Sequence, residues 1–309
     1  MDERNGKRFG AETDTITLGA VEISPVFEQR VFLGPRAFAY PEIEPWEKNR
    51  DWLVPTFWEP GTDELFLSSR SWLVRSEGAT ILIDTGVGND RDRPTTPIFD
   101  HLQTGYLDNL AAAGVRPQDV NFVVTTHLHS DHVGWNTQLV DGDWVPTFPN
   151  ARHLLSRADF DYWNPANANP TRSGAHMVGV FEDSVMPVHQ AGQTLLWEDS
   201  YDIDANLRLE SAPGHTPGSA VLWLRSGADR AVFVGDLLHT PLQIVEPHLS
   251  SCLDEDETAS RASRHRVLDA VATNNALMLP AHFPGTGAVE VRRDGARYSF
   301  TKWAASEKR

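Results

Sequence analysis

The sequence lacks several features that would place the protein in particular classes. Its 309 residues include one cysteine, Cys252, so no disulfide can form within the chain. No apolar run reaches the ~18–20 residues of a membrane span, and Met1 to Arg8 lack the apolar core of a signal peptide. We therefore expect a cytoplasmic protein that has no membrane partner.

Basic residues are also scarce. The chain has 27 Lys and Arg residues against 43 Asp and Glu residues, which gives a formal net charge of −16. Such a charge repels nucleic-acid backbones and anionic membrane surfaces, so we expect no nucleic-acid partner. No repeat, low-complexity segment or linker is visible. We therefore predict a disordered tail over residues 1–13 and a single domain over residues 14–309.

One stretch carries four ligand-type side chains within six positions. The apolar residues 122–124 predict a short buried strand, which ends just before this stretch. The four side chains are His127, His129, Asp131 and His132. An extended loop aims His127 and His129 the same way because Leu128 separates them, and Gly134 permits close backbone approach. Imidazole and carboxylate suit zinc, manganese, iron or cobalt, so we interpret the stretch as metal-binding rather than as a polar surface loop.

Three further ligand-type residues also follow apolar runs. They are His215, Asp236 and His282, which come after residues 207–209, 231–234 and 276–279. Loops after strands meet at one edge of a sheet, where binding sites commonly form. Seven ligand-type residues exceed the needs of one tetrahedral site, so the sequence indicates two metal ions.

These residues resemble the signature of the metallo-β-lactamase-fold hydrolase superfamily, His-x-His-x-Asp-His plus later His, Asp and His. The resemblance runs from about Thr80 to His282. It implies an α/β fold, the αββα sandwich, in which two facing mixed β-sheets carry helices on their outer faces. It also implies a binuclear site, with zinc expected and manganese, iron or cobalt as alternatives.

The same resemblance implies a role for each ligand-type residue. One metal would bind His127, His129 and His215, the other would bind Asp131, His132 and His282, and Asp236 would bridge them. Asp84, in the Asp84-Thr-Gly86 turn, would orient ligands rather than bind metal.

Two positions indicate the branch of the superfamily. Asp236 stands where common zinc β-lactamases have cysteine, and this is similar to lactonases, glyoxalase II and organophosphate hydrolases. His239 stands where many lactonases carry tyrosine. Together with Ala281-His-Phe-Pro-Gly285, it resembles the methyl parathion hydrolase branch. His239 is therefore a candidate contact for substrate, with a packed histidine at a strand end as the alternative.

The chemistry predicted from this site is hydrolysis by a hydroxide that two divalent ions share. We assign catalytic roles to Asp131, Asp236 and His239, although no spacing decides which carboxylate moves the proton. Four aromatic side chains are candidates for the pocket wall, with packing in the core as the alternative for some of them: Phe57, Trp58, Trp135 and Phe283.

The predicted substrates are small neutral esters or lactones, with phosphotriesters as a side activity. No Arg or Lys cluster stands beside the ligand motifs to bind a carboxylate. The alternatives are a β-lactamase, a glyoxalase-II-like thioesterase and an iron-dependent redox enzyme on the same fold. A homodimer is compatible with the sequence.

Two helices are also predicted from the pattern. One runs from about residue 97 to 113, with apolar residues at helical spacing before Gly114. The other runs to about residue 273 and begins at Asp254, which has Glu257 three residues later, as in a capping box.

Overall fold

Two β-sheets form the centre of the protein in the computed structural model, which describes residues 15–34 and 43–302. The predicted tail over residues 1–13 lies outside the described residues, as do residues 35–42 of the proline-rich segment. The strands are β1 (Ile16–Leu18), β2 (Val21–Leu33), β3 (Trp58–Glu59), β4 (Glu64–Ser76), β5 (Ala79–Ile83), β6 (Phe122–Val124), β7 (Thr137–Val140), β8 (Asp143–Pro146), β9 (Arg152–Ser156), β10 (Thr194–Trp197), β11 (Ser200–Asp202), β12 (Leu207–Ser211), β13 (Ala220–Ser226), β14 (Asp229–Gly235), β15 (Leu277–Pro280), β16 (Val289–Asp294) and β17 (Arg297–Lys302).

The α-helices lie between these strands. They are α1 (Glu44–Lys48), α2 (Arg50–Leu53), α3 (Tyr106–Ala112), α4 (Ser130–Val133), α5 (Arg157–Trp163), α6 (Met186–Gln190), α7 (Leu242–Val245) and α8 (Glu257–Asn274). A π-helical turn, Phe181–Val185, precedes α6. None of these described helices is long and apolar enough to cross a membrane.

Both large sheets mix parallel and antiparallel pairs, as predicted. The first has the order β1-β2-β4-β5-β6-β9-β10, with β3 also paired to β4. Its strands from β5 through β6 and β9 to β10 are parallel. The second sheet runs from β11 to β17 in chain order, and its one parallel pair is β14 with β15. Strands β7 and β8 form a separate hairpin.

The inner faces of the two sheets share one hydrophobic core. Val74 and Leu154 of the first sheet belong to the same buried cluster as Leu222 and Phe233 of the second. Helix α3 covers the outer face of the first sheet, and α8 covers the outer face of the second. This arrangement confirms the predicted αββα sandwich.

The two helix predictions were wrong at their N-terminal ends. The first helix begins at Tyr106 and not near residue 97, because side chains hold the preceding backbone in a loop. Asp100 accepts from the Arg93 backbone N–H at 2.6 Å, and Asn89 accepts from that of Thr104 at 2.7 Å. Such local bonds compete with helix formation.

The second helix begins at Glu257, and its N-cap is Asp256 rather than Asp254. The Asp256 carboxylate accepts from the backbone N–H groups of Thr258 and Ala259. Asp254 is not available as a cap because its carboxylate bonds to the Ser251 backbone and to His215.

The ligand-type residues follow strands that end at one edge of the sandwich. Asp84 follows β5, the His127 stretch follows β6, Asp236 follows β14, and His282 follows β15. These four strands form parallel pairs within their sheets, β5 with β6 and β14 with β15. Their carboxyl ends therefore bring the loops of both sheets together.

Candidate metal centre

The structure brings all seven predicted ligands into one cluster and adds His239 to it. Within each of the following groups, one ligand atom from each residue lies within 4.8 Å of the others: His127, His129 and His215; His127, His132 and Asp236; Asp131, His132 and His282; and His215, Asp236 and His239. Most of these side chains are buried, and Asp131 is half-buried.

Asp236 lies at the centre of the cluster, and its two oxygens face different histidines. Its Oδ1 atom lies 3.0 Å from His282 Nε2 and 3.2 Å from His132 Nε2. Its Oδ2 atom is 3.1 Å from His239 Nε2, 3.5 Å from His215 Nε2 and 3.8 Å from His127 Nε2. One carboxylate therefore separates two groups of imidazoles, as a bridging ligand would.

Several polar atoms in the cluster are buried without a hydrogen-bond partner. They are His127 Nε2, His132 Nε2 and Asp236 Oδ1, which lie close to other cluster atoms but not in hydrogen-bonding geometry. Buried polar atoms are normally satisfied. Imidazole nitrogens and carboxylate oxygens that converge in this way fit divalent transition metals.

Hydrogen bonds on the far side of three imidazoles fix which ring nitrogen carries the proton. Asp84 accepts from His132 Nδ1 at 2.9 Å, Asp254 accepts from His215 Nδ1 at 3.0 Å, and the Ser68 carbonyl accepts from His282 Nδ1 at 3.0 Å. Carbonyls and ionised carboxylates only accept, so each Nδ1 is the donor. In its neutral form each ring therefore directs the Nε2 lone pair at the cluster, as metal ligation requires.

The hydrogen bonds of Thr126 determine in the same way which ring nitrogen of His127 is the donor. The Thr126 hydroxyl donates its one hydrogen to Asp84 Oδ2 at 2.8 Å. It can therefore only accept from His127 Nδ1, which lies 3.2 Å away. Asp84 thus contacts two of the predicted ligands, His132 directly and His127 through Thr126.

Burial and charge shift the pKa values within the cluster in opposite directions. Burial holds the pKa of His127 and of His129 well below the usual range. Burial acts in the same direction on His132, but the carboxylates of Asp236, Asp131 and Asp84 outweigh it and raise its pKa. Burial would raise the pKa of Asp236, yet the histidines around it keep the pKa well below its ordinary value. An ionised carboxylate at the centre suits a cation site.

Close backbone packing explains the glycine after the His-x-His-x-Asp-His element. A Cβ atom on Gly134 would lie 1.9 Å from the carbonyl of Val87, so only glycine fits. Gly134 donates its N–H to the Gly86 carbonyl at 2.8 Å, and Thr85 donates to the His132 carbonyl at 2.8 Å. The Asp84 turn and helix α4 are thereby fixed against each other.

A cavity of about 150 Å³ opens onto the cluster. Asp131, Asp236, His239 and His282 border it on the side of the cluster. Its other walls are mainly apolar, with the side chains Val31, Leu33, Leu67, Ile98, Phe99 and Leu253. Among the described residues that line this cavity there is no Lys or Arg.

The four aromatic residues predicted to form the pocket wall do not line this cavity. Trp135 is 5% exposed, stacks on Tyr106 with ring centroids 5.4 Å apart, and donates from Nε1 to Glu28 at 2.8 Å. It packs under the ligand loop because its ring fills the outer core and its N–H satisfies a buried carboxylate.

The other three are also core residues. Phe57 and Phe283 contact each other with ring centroids 6.2 Å apart, and Trp58 is 1% exposed. We therefore correct the pocket assignment: the apolar wall comes from strands β2 and β4 and from loops instead.

Three groups of residues at the site were not predicted from the sequence. Asp254 orients His215, although its position suggested a helix cap. Ser173 and His176 line the cavity from a segment without periodicity. Val31 and Leu33 also line the cavity, and they lie at the C-terminal end of β2, where the sequence has no recognisable motif. The one available signal was that Asp254 is not the N-cap of α8 and so needs another partner. That signal depends on knowing that the helix starts at Glu257.

Residues 65–282 match the Metallo-beta-lactamase superfamily, and the chain belongs to that superfamily. The matched segment contains all seven ligand-type residues. The zinc β-lactamases and the other branches of such a superfamily differ in substrate, so membership defines the fold and the class of site but not the reaction partner.

The curated relatives are similar to this chain over a shorter stretch than the solved structures are. The chain is 30% identical over 131 residues to the N-acyl homoserine lactonase AttM of Rhizobium radiobacter, a match that covers 42% of this chain and 44% of that protein. Thus the chain spans less than half the length of this curated relative.

Two solved structures share the fold over nearly the whole chain. The hydrolase AbOPH superposes with a TM-score of 0.80 at 24% identity, covering 97% of this chain and 100% of that one. The dizinc quorum-quenching lactonase AidC superposes with a TM-score of 0.78 at 21% identity, covering 96% and 98%.

Proposed function

We propose that the protein is a binuclear metal-dependent hydrolase of neutral lactones and esters that carry an apolar acyl group. The observation that carries this proposal is the position of Asp236, between two groups of histidines and at the end of an apolar cavity. The ligand set and the cavity form one continuous site.

The residues divide into two metal-binding groups. His127, His129 and His215 would hold one ion, and Asp131, His132 and His282 would hold the other, while Asp236 offers one oxygen to each group. When bound, two divalent ions supply a hydroxide at neutral pH and a Lewis acid for the substrate carbonyl. Zinc fits this set of nitrogen and oxygen donors.

Asp131 is the carboxylate best placed to move a proton between the attacking water and the leaving oxygen. Its side chain is 19% exposed and borders the cavity, whereas that of Asp236 is 4% exposed. Both carboxylates face histidines, but the oxygens of Asp236 lie closer to the nearest Nε2 atoms, at 3.0 and 3.1 Å, than those of Asp131, at 3.5 and 3.7 Å. Hydrolysis adds water across the acyl carbon–oxygen bond, and the proton that Asp131 takes up would be returned to the alkoxide that leaves.

His239 is the proposed polar contact for the substrate. It borders the cavity, and its Nε2 atom lies 3.1 Å from Asp236 Oδ2. Burial lowers its pKa, so the ring is neutral at pH 7 and has one donor and one acceptor nitrogen.

The cavity supports neutral, partly apolar substrates. Its apolar walls offer surface for an acyl chain, at about 25 cal/mol for each Å² removed from water. No described cation lines it to bind a substrate carboxylate. The similarity to N-acyl homoserine lactonases supports the same substrate class.

A comparative hydrolysis screen tests this proposal. The zinc-loaded protein should be assayed with lactones of different acyl length, aryl esters, phosphotriesters, β-lactams and glutathione thioesters. We expect the largest kcat/KM for a lactone or aryl ester. Faster hydrolysis of β-lactams or glutathione thioesters than of any neutral ester would contradict the substrate assignment and leave only the metal chemistry.

A further inference from the structure

A serine on the loop between α5 and the π-helical turn contacts one of the proposed ligands. Ser173 is 3% exposed, and its hydroxyl oxygen lies 3.3 Å from His129 Nε2. The same oxygen lies 2.6 Å from Glu255 Oε1. His129, Ser173 and Glu255 therefore form a chain of hydrogen bonds that leads away from the cluster.

Glu255 accepts four hydrogen bonds, three from this loop and one from helix α5. Its Oε1 atom accepts from the backbone N–H and from the hydroxyl of Ser173, at 2.7 and 2.6 Å. Its Oε2 atom accepts from the Arg172 backbone at 2.8 Å and from the Tyr162 hydroxyl at 2.7 Å. Partial burial would raise the pKa of Glu255, but these hydrogen bonds outweigh it and lower the pKa. The side chain is thus an ionised group that only accepts.

The hydrogens available on each group determine which atoms donate in this series of hydrogen bonds. A serine hydroxyl has one hydrogen, and Ser173 donates it to Glu255. Toward His129 it can only accept, so the His129 proton lies on Nε2. The His129 Nδ1 atom then carries a lone pair.

When both rings are neutral, the Nδ1 lone pair of His129 faces the Nε2 lone pair of His215. His129 Nδ1 lies 2.9 Å from His215 Nε2, and in the neutral ring of His215 the one proton is on Nδ1, where Asp254 accepts it. Two nitrogen lone pairs in contact repel each other unless a cation lies between or beside them. Both orienting carboxylates, Asp254 and Glu255, are adjacent in the chain just before helix α8.

We propose that Glu255 is a positioning residue that acts through Ser173 to fix the tautomer of His129 and make Nδ1 its metal ligand. The inference rests on the proposed function, because it assigns His129 to a metal. Glu255 and Ser173 do not belong to the superfamily's ligand pattern, so their role is additional to it. One acidic dipeptide then orients both His129 and His215.

Four variants separate this role from simple support of the loop. Ser173→Ala removes the acceptor, and Glu255→Ala releases the Ser173 hydroxyl. Ser173→Thr keeps a hydroxyl at the same position. Thr95→Val is the matched control, because Thr95 donates to the Ala175 carbonyl of the same loop without touching the hydrogen-bond chain.

Two measurements should be made on each protein. Zinc affinities are obtained by competition with a chelator, and the protonated nitrogen of His129 is identified by two-bond ¹⁵N–¹H correlation in selectively labelled protein, with and without zinc. We expect an Nε2-protonated His129 in the parent, Ser173→Thr and Thr95→Val proteins. Ser173→Ala and Glu255→Ala should lose affinity for one of two zinc ions by about 10–100-fold.

Unchanged zinc affinities in Ser173→Ala and Glu255→Ala would overturn the inference, as would equal losses in Thr95→Val. A parent His129 protonated on Nδ1 without zinc would also overturn it. If the parent binds fewer than two zinc ions, the proposed function fails and the inference falls with it, so the two failures are distinguishable.

Discussion

His153 offers a test of how burial in this fold controls stability. It lies on β9 and is fully buried, and neither ring nitrogen has a hydrogen-bond partner. Its ring lies beside that of Phe148, with ring centroids 6.4 Å apart. Burial lowers the pKa of His153 to about 3, because a charged imidazole would have no water or counter-charge around it.

The effect on stability follows from the pKa difference between the folded and unfolded chain. The unfolded histidine titrates near ~6.5. Below that pH the unfolded chain binds a proton that the folded chain refuses, so stability present at neutral pH is lost as the pH falls from about 6.5 toward 3. At ~1.4 kcal/mol per pH unit, the loss reaches roughly 2 kcal/mol at about pH 5 and is negligible at about pH 7.5.

The assay is urea unfolding of the parent and of His153→Leu at about pH 7.5 and 5, with the same zinc loading. Leucine does not titrate, so the variant should lose roughly 2 kcal/mol less than the parent between the two pH values. His265→Gln, at an exposed helix position, is the control and should behave like the parent. An identical pH dependence in parent and His153→Leu would refute the reasoning, since other histidines would then account for the whole effect.

Three further changes test the assignments at the site. Asp236→Ala should lower kcat and zinc content far more than His239→Ala, and equal zinc content in Asp236→Ala and the parent would remove Asp236 from the site. Phe99→Ala should raise KM about eightfold for a long acyl lactone that buries roughly 50 Å² against the ring, at ~25 cal/mol per Å², but hardly for a short one; an equal rise for both would place the acyl chain elsewhere. Trp135→Phe should lower the free energy of unfolding by about 1–3 kcal/mol through the lost bond to buried Glu28 while KM is unchanged; a KM change without loss of stability would restore Trp135 to the pocket.

The sheet core and the convergence of the ligand-type residues could be predicted from the sequence because both depend on local patterns. Apolar runs mark strands such as β6 and β14, and the loops after them carry His127 and Asp236. Seven ligand-type residues in four such loops have few partners for their polar atoms unless the loops meet at one edge of the sheets.

The aromatic residues were harder to place because tryptophan suits a core and a pocket wall equally well. Trp135 directly follows the ligand loop, yet its side chain turns toward Glu28 and Tyr106, more than 25 positions away in sequence. No local pattern in the chain indicates that Glu28 is buried there.

Asp254 and Glu255 could not be placed at the site from the sequence for the same reason. Asp254 and Glu255 look like the acidic first turn of a helix, and the helix does begin two residues after Glu255. Their partners, His215 and Ser173, lie 39 and 82 residues away. Only the folded chain shows that their carboxylates face the site rather than the helix N-terminus.

The most direct test of the central claim is zinc titration of chelator-treated protein with lactone hydrolysis as the readout. We predict that hydrolysis of an acylated lactone is lost without metal and rises to a maximum at two zinc equivalents per chain, with elemental analysis showing both ions bound. Full activity at a firm plateau of one equivalent would contradict the binuclear site, and no lactone or ester hydrolysis at any zinc loading would contradict the proposed reaction.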